Sequence, residues 1–311
     1  TNKEQQAKLF SRASLRSIAK NHLKTMTKSE LDSDWKLDEF FETIFVVNLP
    51  QSSTRLQKMT EELHAIGTKN FEVFKAIDGR REVAPELWQK FYLNLHGIGN
   101  DTEEGKKALD ELHKGQAGCY MSHYTILQNV HNAFQNALKD LKAAQKAQDS
   151  LAARQHKKTA RKYSRVLILE DDGGFGILNN ETQIISKKGV GRILRKALSK
   201  LPDNWDMLYF VVHATEPTYE VTKHLRKLNR SWSMLAYAVN HRMYEPLLKR
   251  LQKIEDPDIT KVWPIDNEIG EIHHKHNVYA IYPSIVFTQA GKSHITDKTW
   301  DAWQGQPIYT H

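Results

Sequence analysis

The sequence has 311 residues, 40% of them hydrophobic and 26% charged, which is enough for one large α/β domain and excludes an intrinsically disordered chain. The single cysteine, Cys119, excludes an intramolecular disulfide and a thiolate zinc cluster. A formal net charge of +8 favours anionic partners such as nucleotides, acidic lipid surfaces or nucleic acid, but charge alone does not choose among them.

The sequence shows no signal for membrane insertion or secretion. No uninterrupted apolar stretch approaches the roughly 18 residues that cross a bilayer, and the first residues lack the basic-then-apolar order of a secretory signal. A single cysteine also fits a reducing compartment. We therefore expect a cytoplasmic protein, either free or peripheral on the inner face of a membrane.

The first 80 residues predict a helical extension followed by a β-α-β unit. Residues 1–41 are polar with apolar residues at helical spacing, which is typical of one or two amphipathic helices outside the main sheet. The β-branched and aromatic run at 43–49 is typical of a strand buried on both faces. A helix up to Gly67 and a strand at 71–77 follow. This order predicts a parallel sheet that binds ligands at the carboxyl ends of its strands.

A basic helical segment occupies the middle of the chain. Residues from Gly115 to about Ala133 predict a helix with an apolar stripe, and those from about Asn136 to Lys162 predict a helical, Lys-rich insertion. The simplest interpretation of its cations is that they form the solvent-exposed face of the helices. Attraction to an anionic membrane is the functional alternative, and nucleic acid is not an expected partner. The cations include Lys139, Lys142, Lys146, Lys157, Lys158, Arg161 and Lys162.

The second half of the chain continues the alternation of strands and helices. No internal repeat interrupts it, so we predict one α/β catalytic domain at 42–311, with a mainly parallel central sheet flanked by helices. The predicted strands are 166–169, 207–212, 235–239 and 278–281, and the predicted helices are about 191–201 and 243–254.

Three consecutive carboxylates, Glu170-Asp171-Asp172, follow the strand at 165–169. Like charges at this range repel one another unless a cation is present, and Mg²⁺ or Mn²⁺ would relieve the conflict while bridging carboxylates to phosphates. Alternate side chains share a face, so Glu170 and Asp172 point together and Asp171 turns aside. Gly173 and Gly174 would let a diphosphate approach the backbone. A solvated acidic turn or a helix N-cap cluster is the alternative.

Four segments in this order resemble landmarks of glycosyltransferase family 25, which includes bacterial lipooligosaccharide galactosyltransferases and the collagen hydroxylysine galactosyltransferases. The resemblance covers roughly residues 43–295, with the Lys-rich segment as an insertion. It implies a GT-A type fold, a UDP-sugar donor that is often UDP-galactose, dependence on Mn²⁺, and inversion at the sugar carbon. The segments are Ile44–Arg55, Gly115–His123, the strand ending in Glu170-Asp171-Asp172, and Pro264–Asp266.

The resemblance also implies roles for residues around the donor. Glu170 and Asp172 match the acidic motif that holds metal and nucleotide. Asp171 is a candidate for binding the nucleotide-sugar, although we expect it to be the structural member of the triplet. Asn48 and Arg55 match the segment that lines the nucleotide pocket, where the planar guanidinium suits uracil or phosphate. An ordinary surface position for Arg55 remains open.

Three further residues are candidates with open alternatives. Asp78 could bind the ribose or base, although Asp-Gly is also an ordinary turn. His123 matches a Ser-His pair of the family and is a catalytic candidate, although a helical histidine is more often structural. Asp266 could be the general base, or the N-cap of a helix beginning near Asn267.

The histidines near the end of the chain receive separate interpretations. His294 stands where the family pattern has an acid, and it is a candidate metal or phosphate ligand or a surface histidine. His273, His274 and His276 lie too close in sequence to share a helix face, so we do not expect them to form a metal site.

We therefore expect a metal-assisted transfer of a hexose from a UDP-sugar to a hydroxyl of a glycan, a lipooligosaccharide or a protein. Galactose is the first candidate for the hexose. Mn²⁺ or Mg²⁺ would assist the departure of UDP, and Asp266 would take the acceptor proton. Two alternatives remain: a non-catalytic basic adaptor for membrane or nucleic acid, and a sugar-nucleotide nucleotidyltransferase or hydrolase.

Overall fold

The computed structural model describes residues 14–28, 36–92, 101–178, 184–186, 189–292 and 299–300. Helices and strands alternate along most of this length, with helices on both faces of a central sheet. The α-helices are α1 Leu15–Thr25, α2 Leu37–Phe40, α3 Ser53–Ala65, α4 Pro85–Trp88, α5 Glu103–Lys146, α6 Ser150–Lys162, α7 Val190–Lys200, α8 Tyr244–Leu251 and α9 Ile265–Gly270. Short 3₁₀ turns occupy His241–Met243, Gln252–Glu255 and His273–Lys275.

Eight strands form the central sheet, in the order β2-β1-β3-β12-β7-β13-β10-β9. These strands are β1 Thr43–Asn48, β2 Glu72–Lys75, β3 Arg165–Glu170, β7 Met207–Tyr209, β9 Tyr219–Thr222, β10 Leu225–Lys227, β12 Ala236–Asn240 and β13 Val278–Ile281. The remaining strands form small two-stranded sheets: β4 Gly173–Phe175 with β14 Val286–Thr288, β5 Ile177–Leu178 with β6 Ile184–Ser186, β8 His213–Ala214 with β11 Ser231–Trp232, and β15 Gly291–Lys292 with β16 Thr299–Trp300.

The sheet is parallel where the sequence predicts the β-α-β unit. Strand β1 pairs in parallel with both β2 and β3, so the carboxyl ends of these three strands meet at one edge. Strands β12 and β10 run against the other six, which introduces antiparallel pairings in the second half of the sheet. The predicted α/β class, with a mostly parallel sheet flanked by helices, is confirmed.

The surroundings of strand β3 explain why its residues 166–169 are all apolar. Val166 and Ile168 are buried in the core on one face of the sheet, and Leu167 and Leu169 are buried in the core on the other. Strand β3 also lies between β1 and β12, which leaves it no exposed edge. A strand surrounded in this way cannot alternate between apolar and polar residues.

The N-terminal helices are part of the packed structure. Helix α1 packs against α7, and Ser14 caps its first turn by accepting a hydrogen bond from the backbone N–H of Ser17 at 3.1 Å. Leu15, Ala19 and Phe40 are fully buried in the same apolar core as one face of the sheet. The described parts of the predicted helical extension, residues 14–28 and 36–41, therefore pack on the same core as the sheet.

Helix α5 is much longer than the sequence-based boundary of about 115–133. It spans 44 residues, begins at a Thr102 cap, and contains the first half of the Lys-rich segment without a break. Helix α6 then packs back along it, so the segment 136–162 is a helical hairpin rather than a separate unit. The boundary was missed because the apolar stripe continues through Phe134, Leu138 and Leu141 while lysines occupy the exposed positions. No helix among the described residues is both long and apolar enough to cross a bilayer.

Candidate active site

A cleft opens at the carboxyl ends of β1, β2 and β3 and is closed on one side by α5. Parallel strands gather the residues that follow them at the same edge, so side chains distant in sequence face one space. Its walls come from the ends of the three strands, the loop after β2, the first turn of α3 and one face of α5. The lining residues are Val47, Leu49, Arg55, residues 76–80, Gly115, Gly118, Cys119, Ser122, His123 and the triplet at 170–172.

Arg55 joins the last two carboxylates of the triplet. Its Nη2 lies 2.7 Å from Oδ1 of Asp171 and 2.6 Å from Oδ2 of Asp172. Asn48, at the end of β1, donates a 2.6 Å hydrogen bond from its side-chain nitrogen to Oδ2 of Asp171. Four candidates from two segments of the chain are thus held together by direct contacts. Both oxygens of Asp171 are bonded to protein groups.

The pKa values of these carboxyls show how much negative charge the cleft concentrates. Burial raises the pKa of Asp171 to about 6, against the lowering effects of Arg55 and Asn48. Burial raises the pKa of Asp172 to about 7; Arg55 opposes the rise, and the charges of Glu170 and Asp171 add to it. A single guanidinium therefore does not neutralise the cluster, and a further cation would stabilise its ionised form.

One oxygen of Asp172 is free to take such a cation. Oδ1 is buried and has no hydrogen-bond partner among the residues that the structure describes, whereas Oδ2 contacts Arg55. Buried oxygens without partners are rare and call for a ligand or a water molecule. Carboxylate oxygens are also the ligands that Mn²⁺ and Mg²⁺ prefer. The free oxygen of Asp172 thus fits the divalent cation that the resemblance implies, whereas Oε1 of Glu170 is directed to His123 and Cys119.

Glu170 turns towards α5 and contacts His123. The His123 Nε2 lies 3.2 Å from Glu170 Oε1, and its Nδ1 lies 2.9 Å from the hydroxyl of Tyr237 on β12. Because a carboxylate only accepts, Nε2 carries the proton, and Nδ1 of a neutral ring accepts from Tyr237. Burial raises the pKa of Glu170, but His123 and Arg55 together outweigh it and leave this pKa below its usual value. His123 is therefore placed to fix Glu170.

Cys119 lines the same wall, one helical turn from His123. Its Sγ lies 3.8 Å from Glu170 Oε1. Burial, followed by the charges of Glu170 and Asp266, raises the pKa of the thiol well above its usual value. The neutral thiol is a poor nucleophile, so Cys119 serves as a small packing residue of this wall.

The floor of the cleft depends on two glycines in backbone contact. A Cβ on Gly79 would lie 1.8 Å from the carbonyl oxygen of Lys114, and a Cβ on Gly118 would lie 2.6 Å from the nitrogen of Gly79. Ser122 ties the same two segments together, because its hydroxyl accepts from the N–H of Ile77 at 2.8 Å. The loop after β2 can approach α5 this closely only where side chains are absent.

Asp78 lies in this loop and serves both the turn and the cleft. Its Oδ1 accepts a 3.0 Å bond from the backbone N–H of Arg80, as in an ordinary Asx turn, and its Oδ2 accepts a 3.2 Å bond from Gln51. The carboxyl also lines the cleft. The turn interpretation and the ligand interpretation of Asp78 are therefore compatible.

Asp266 lies in the first turn of α9, on the other half of the same edge. Its carboxyl accepts hydrogen bonds from the backbone N–H groups of Asn267 at 2.9 Å and Ser233 at 3.4 Å. Burial is the main cause of its raised pKa, and the charge of Glu170 adds to it against the backbone hydrogen bonds. The expectation that Asp266 could cap a helix beginning near Asn267 is wrong, because α9 begins at Ile265 and has Pro264 at its N-cap.

Buried tyrosines connect the two halves of the site. The ring of Tyr237, whose hydroxyl contacts His123, is stacked against Tyr209 with ring centres 6.2 Å apart. The Tyr209 hydroxyl lies 3.2 Å from Nε2 of His273, and the charge of Asp266 contributes to the raised pKa of Tyr209 after burial. His273 is thus a buried partner of Tyr209 within this polar layer.

The predicted access for a diphosphate at Gly173 and Gly174 is wrong for Gly174. These residues form β4, which pairs with β14, and a Cβ on Gly174 would lie 2.6 Å from the ring of Phe287. The space beside that glycine is filled by an aromatic ring. His294 lies outside the described residues.

Two contacts of the site have no clear signal in the sequence. Tyr237 lies in a strand whose residues are all buried, and nothing local marks it as the partner of His123. Gln51 looks like an ordinary turn residue, yet it bonds to Asp78. Their distances along the chain, 114 and 27 residues, explain why local patterns do not reveal them.

Comparison with known families gives one match. The model described as glycosyltransferase family 25 (LPS biosynthesis protein) matches residues 41–138, which include β1, Arg55, Asp78 and His123. The acidic triplet and Asp266 lie beyond the matched residues. No curated protein matches the chain. The resemblance to glycosyltransferase family 25 is confirmed over residues 41–138, which supports a glycosyltransferase.

Proposed function

We propose that this chain transfers a hexose, with galactose the first candidate, from a UDP-sugar to an acceptor hydroxyl with inversion. The observation that carries the proposal is the gathering of Arg55 and the triplet Glu170-Asp171-Asp172 in one cleft, with Asn48 bonded to Asp171. The family match across the walls of that cleft supports the reaction class. The parallel half of the sheet, β2-β1-β3, supports assignment of the nucleotide to its carboxyl edge, as in a GT-A fold.

Asp172 and Glu170 would hold Mn²⁺ or Mg²⁺. When bound, the cation neutralises charge that develops on the departing UDP. The protein residues around it have positioning tasks. Arg55 and Asn48 fix the orientation of Asp171, and His123 fixes Glu170 through a ring held by Tyr237.

Asp266 is our candidate for the general base. The acceptor hydroxyl would give its proton to the carboxylate while its oxygen bonds to the anomeric carbon. The bond from that carbon to UDP breaks at the same time, and its electrons stay on the phosphate oxygen. Attack from the face opposite UDP inverts the configuration. Asp266 suits this role because its carboxyl feels the charge of Glu170 and its raised pKa makes it a better proton acceptor.

Titration of the protein with UDP, with and without Mn²⁺, tests the donor site. A ligand at 100 times its dissociation constant adds about 2.7 kcal/mol to the free energy of unfolding, which is readily seen as a rise in melting temperature. We expect a rise with UDP that increases when Mn²⁺ is present. No rise in either case would overturn the assignment and favour an adaptor. Product analysis separates the transferase from a nucleotidyltransferase or hydrolase, because hydrolysis without acceptor would then be the main activity.

The basic hairpin of α5 and α6 supports a second interaction, with an anionic membrane surface. Residues 136–162 carry eight lysines and arginines against two aspartates, so they supply +6 of the net charge of +8. Leu151, at the start of α6, is 78% exposed. Clustered cations with an exposed apolar residue fit a leaflet of acidic lipids.

The hairpin lies away from the cleft. Helix α6 leads into the amino end of β3, opposite the catalytic edge, and about 40 Å of helix separates Cys119 from Lys146. Co-sedimentation with phosphatidylglycerol vesicles, with phosphatidylcholine as control, tests the contact. We expect binding to the acidic vesicles that a Lys157→Glu/Lys158→Glu variant loses. Equal recovery with both vesicle types would exclude the contact.

A further inference from the structure

Next to Asp266 lies a partly exposed aromatic pair that the donor site does not use. Trp232 on β11 and His213 on β8 are opposite each other in an antiparallel pair, and their ring centres are 5.5 Å apart. Residues opposite each other in such a pair project from the same face. Both side chains are partly exposed, whereas most aromatic residues of the sheet are buried.

The position of this pair follows from the strand register. Ala236 pairs with Leu169, and the backbone N–H of Glu170 donates a 2.9 Å bond to the carbonyl oxygen of Leu235. The residues just before β12 therefore lie beside the acidic triplet. Trp232 is only three residues before Leu235, which places the indole on the catalytic edge of the sheet, on the side of Asp266.

Trp232 and Asp266 are held by the same amide. With the Asn267 side chain oriented to satisfy both neighbours, its nitrogen donates to Asp266 Oδ1 at 3.1 Å and its oxygen accepts from the Trp232 indole N–H at 3.1 Å. A close approach of α9 to β11 supports this geometry, because a Cβ on Gly270 would lie 3.1 Å from the carbonyl oxygen of Ser231.

The backbone between the two side chains is also constrained. Ser233 has a φ of 98°, which is unusual for a residue with a side chain, and its N–H points to Asp266. Such conformations persist where the surrounding structure enforces them and often occur at functional sites. The indole and the carboxyl are thus fixed relative to each other before any ligand arrives.

We propose that Trp232 is the platform for a saccharide acceptor, whose ring packs on the indole while the attacking hydroxyl bonds to Asp266. This inference rests on the proposed function and names its acceptor class. The C–H groups on one face of a pyranose carry partial positive charge and suit the negative face of an aromatic ring. A flat apolar group beside a few fixed polar groups is the usual composition of a small-ligand site. An extended hydroxylated peptide would gain little from such a platform.

Two variants and one control test the platform. Trp232→Ala removes it, and Trp232→Phe restores an aromatic face without the indole N–H. Tyr219→Ala is the control, because Tyr219 is an exposed aromatic residue on β9 at the far edge of the sheet. The UDP-induced rise in melting temperature is measured for every variant, so that misfolding and failure of the donor site are recognised separately.

Binding is measured by saturation-transfer NMR with UDP, Mg²⁺ and a panel of methyl glycosides, with a hydroxylysyl peptide as the competing acceptor class. Transfer is measured from UDP-galactose to the same acceptors. We expect transfer of saturation to the ring protons of at least one glycoside, an acceptor KM about tenfold higher in Trp232→Ala, and substantial recovery in Trp232→Phe. Tyr219→Ala should match the wild type.

Three results would overturn the proposal. One is an unchanged acceptor KM in Trp232→Ala. Another is an acceptor KM that rises equally in Trp232→Ala and Trp232→Phe. The third is acceptance of the peptide with no binding of any glycoside while UDP still stabilises the protein. Absence of UDP stabilisation in the wild type would instead reject the proposed donor site.

Discussion

Arg55 contacts only one oxygen of Asp172, and the other oxygen is buried without a hydrogen-bond partner in the described part of the chain. This asymmetry indicates how the cleft can use one positive side chain and one metal ion together. The guanidinium fixes Asp172 and Asp171, while Oδ1 of Asp172 stays available for a cation. The same arrangement makes the unliganded cleft electrostatically unfavourable, as the raised pKa values of both aspartates show.

Asp172→Asn should abolish the effect of Mn²⁺ on UDP binding and the transfer of sugar. The amide keeps the shape of the side chain but removes the charge that binds the cation. The measurement is the melting temperature with UDP, with and without Mn²⁺, followed by UDP release from UDP-galactose. Asp203→Asn is the matched control, because Asp203 is an exposed carboxylate in the loop after α7. Full activity of Asp172→Asn would show that the metal assignment is wrong.

Arg55→Gln should destabilise the free protein by about 1–3 kcal/mol, because two buried or partly buried carboxylates lose their cation. A divalent ion should then supply the missing positive charge. We therefore expect Mn²⁺ to raise the melting temperature more in Arg55→Gln than in the wild type, while UDP affinity falls. An equal response to Mn²⁺ in both proteins would argue that Arg55 and the metal do not share the same carboxylates.

Gly118→Ala should destabilise the protein by about 3 kcal/mol or more and move the loop that carries Asp78. The added Cβ would meet the nitrogen of Gly79 at 2.6 Å and the carbonyl oxygen of Ile77 at 2.7 Å, and both are backbone atoms that cannot rotate away. Denaturant unfolding measures the loss. Gly105→Ala, in the first turn of the same helix, should be neutral or stabilising, since alanine favours helices. Equal stability of the two variants would contradict the close packing.

The sequence contained enough information to predict the β-α-β unit and the location of the acidic triplet. Between Arg165 and Glu170 the buried strand β3 is entirely apolar, so both the strand and its end are visible locally. The long helix α5 was recognised only in part, because the change in composition near Asn136 occurs at exposed positions and leaves the buried stripe intact. The composition of a segment averages over the exposed and the buried face of a helix. The position at which the helix ends depends instead on how far the buried apolar stripe continues and on the capping residue.

The polar layer behind the triplet could not be predicted for a different reason. His123 was a candidate from the family resemblance, but its contact with Tyr237 depends on β12 running antiparallel beside β3. The position of Trp232 beside Asp266 depends on the same reversal. Pairing between strands that are distant in sequence is a property of the whole sheet. Local periodicity predicts that a strand exists and does not predict its neighbours.

His273, in the 3₁₀ turn that follows α9, is fully buried and makes stability depend on pH. Burial lowers the pKa of His273 to about 3, and the positive groups His276, Arg230, Lys227 and His274 add to the effect. The group of the sheet that faces His273 is the hydroxyl of Tyr209, which forms a hydrogen bond with it and carries no charge. His273 is therefore neutral in the folded protein at all ordinary pH values.

Because the unfolded chain protonates this histidine near pH 6.5 and the folded chain does not, its contribution to stability is complete above about pH 6.5 and declines towards pH 3. His273→Gln keeps a polar group facing Tyr209 and removes the titration. The free energy of unfolding of the wild type, relative to that of His273→Gln, should therefore fall by roughly 3 kcal/mol between pH 7 and pH 4. Taking this difference cancels the titration of the aspartates in the cleft. Urea unfolding at several pH values measures it, with His64→Gln, at an exposed histidine of α3, as the control. A difference that stays constant with pH would mean that His273 is protonated as readily in the folded protein as in the unfolded chain.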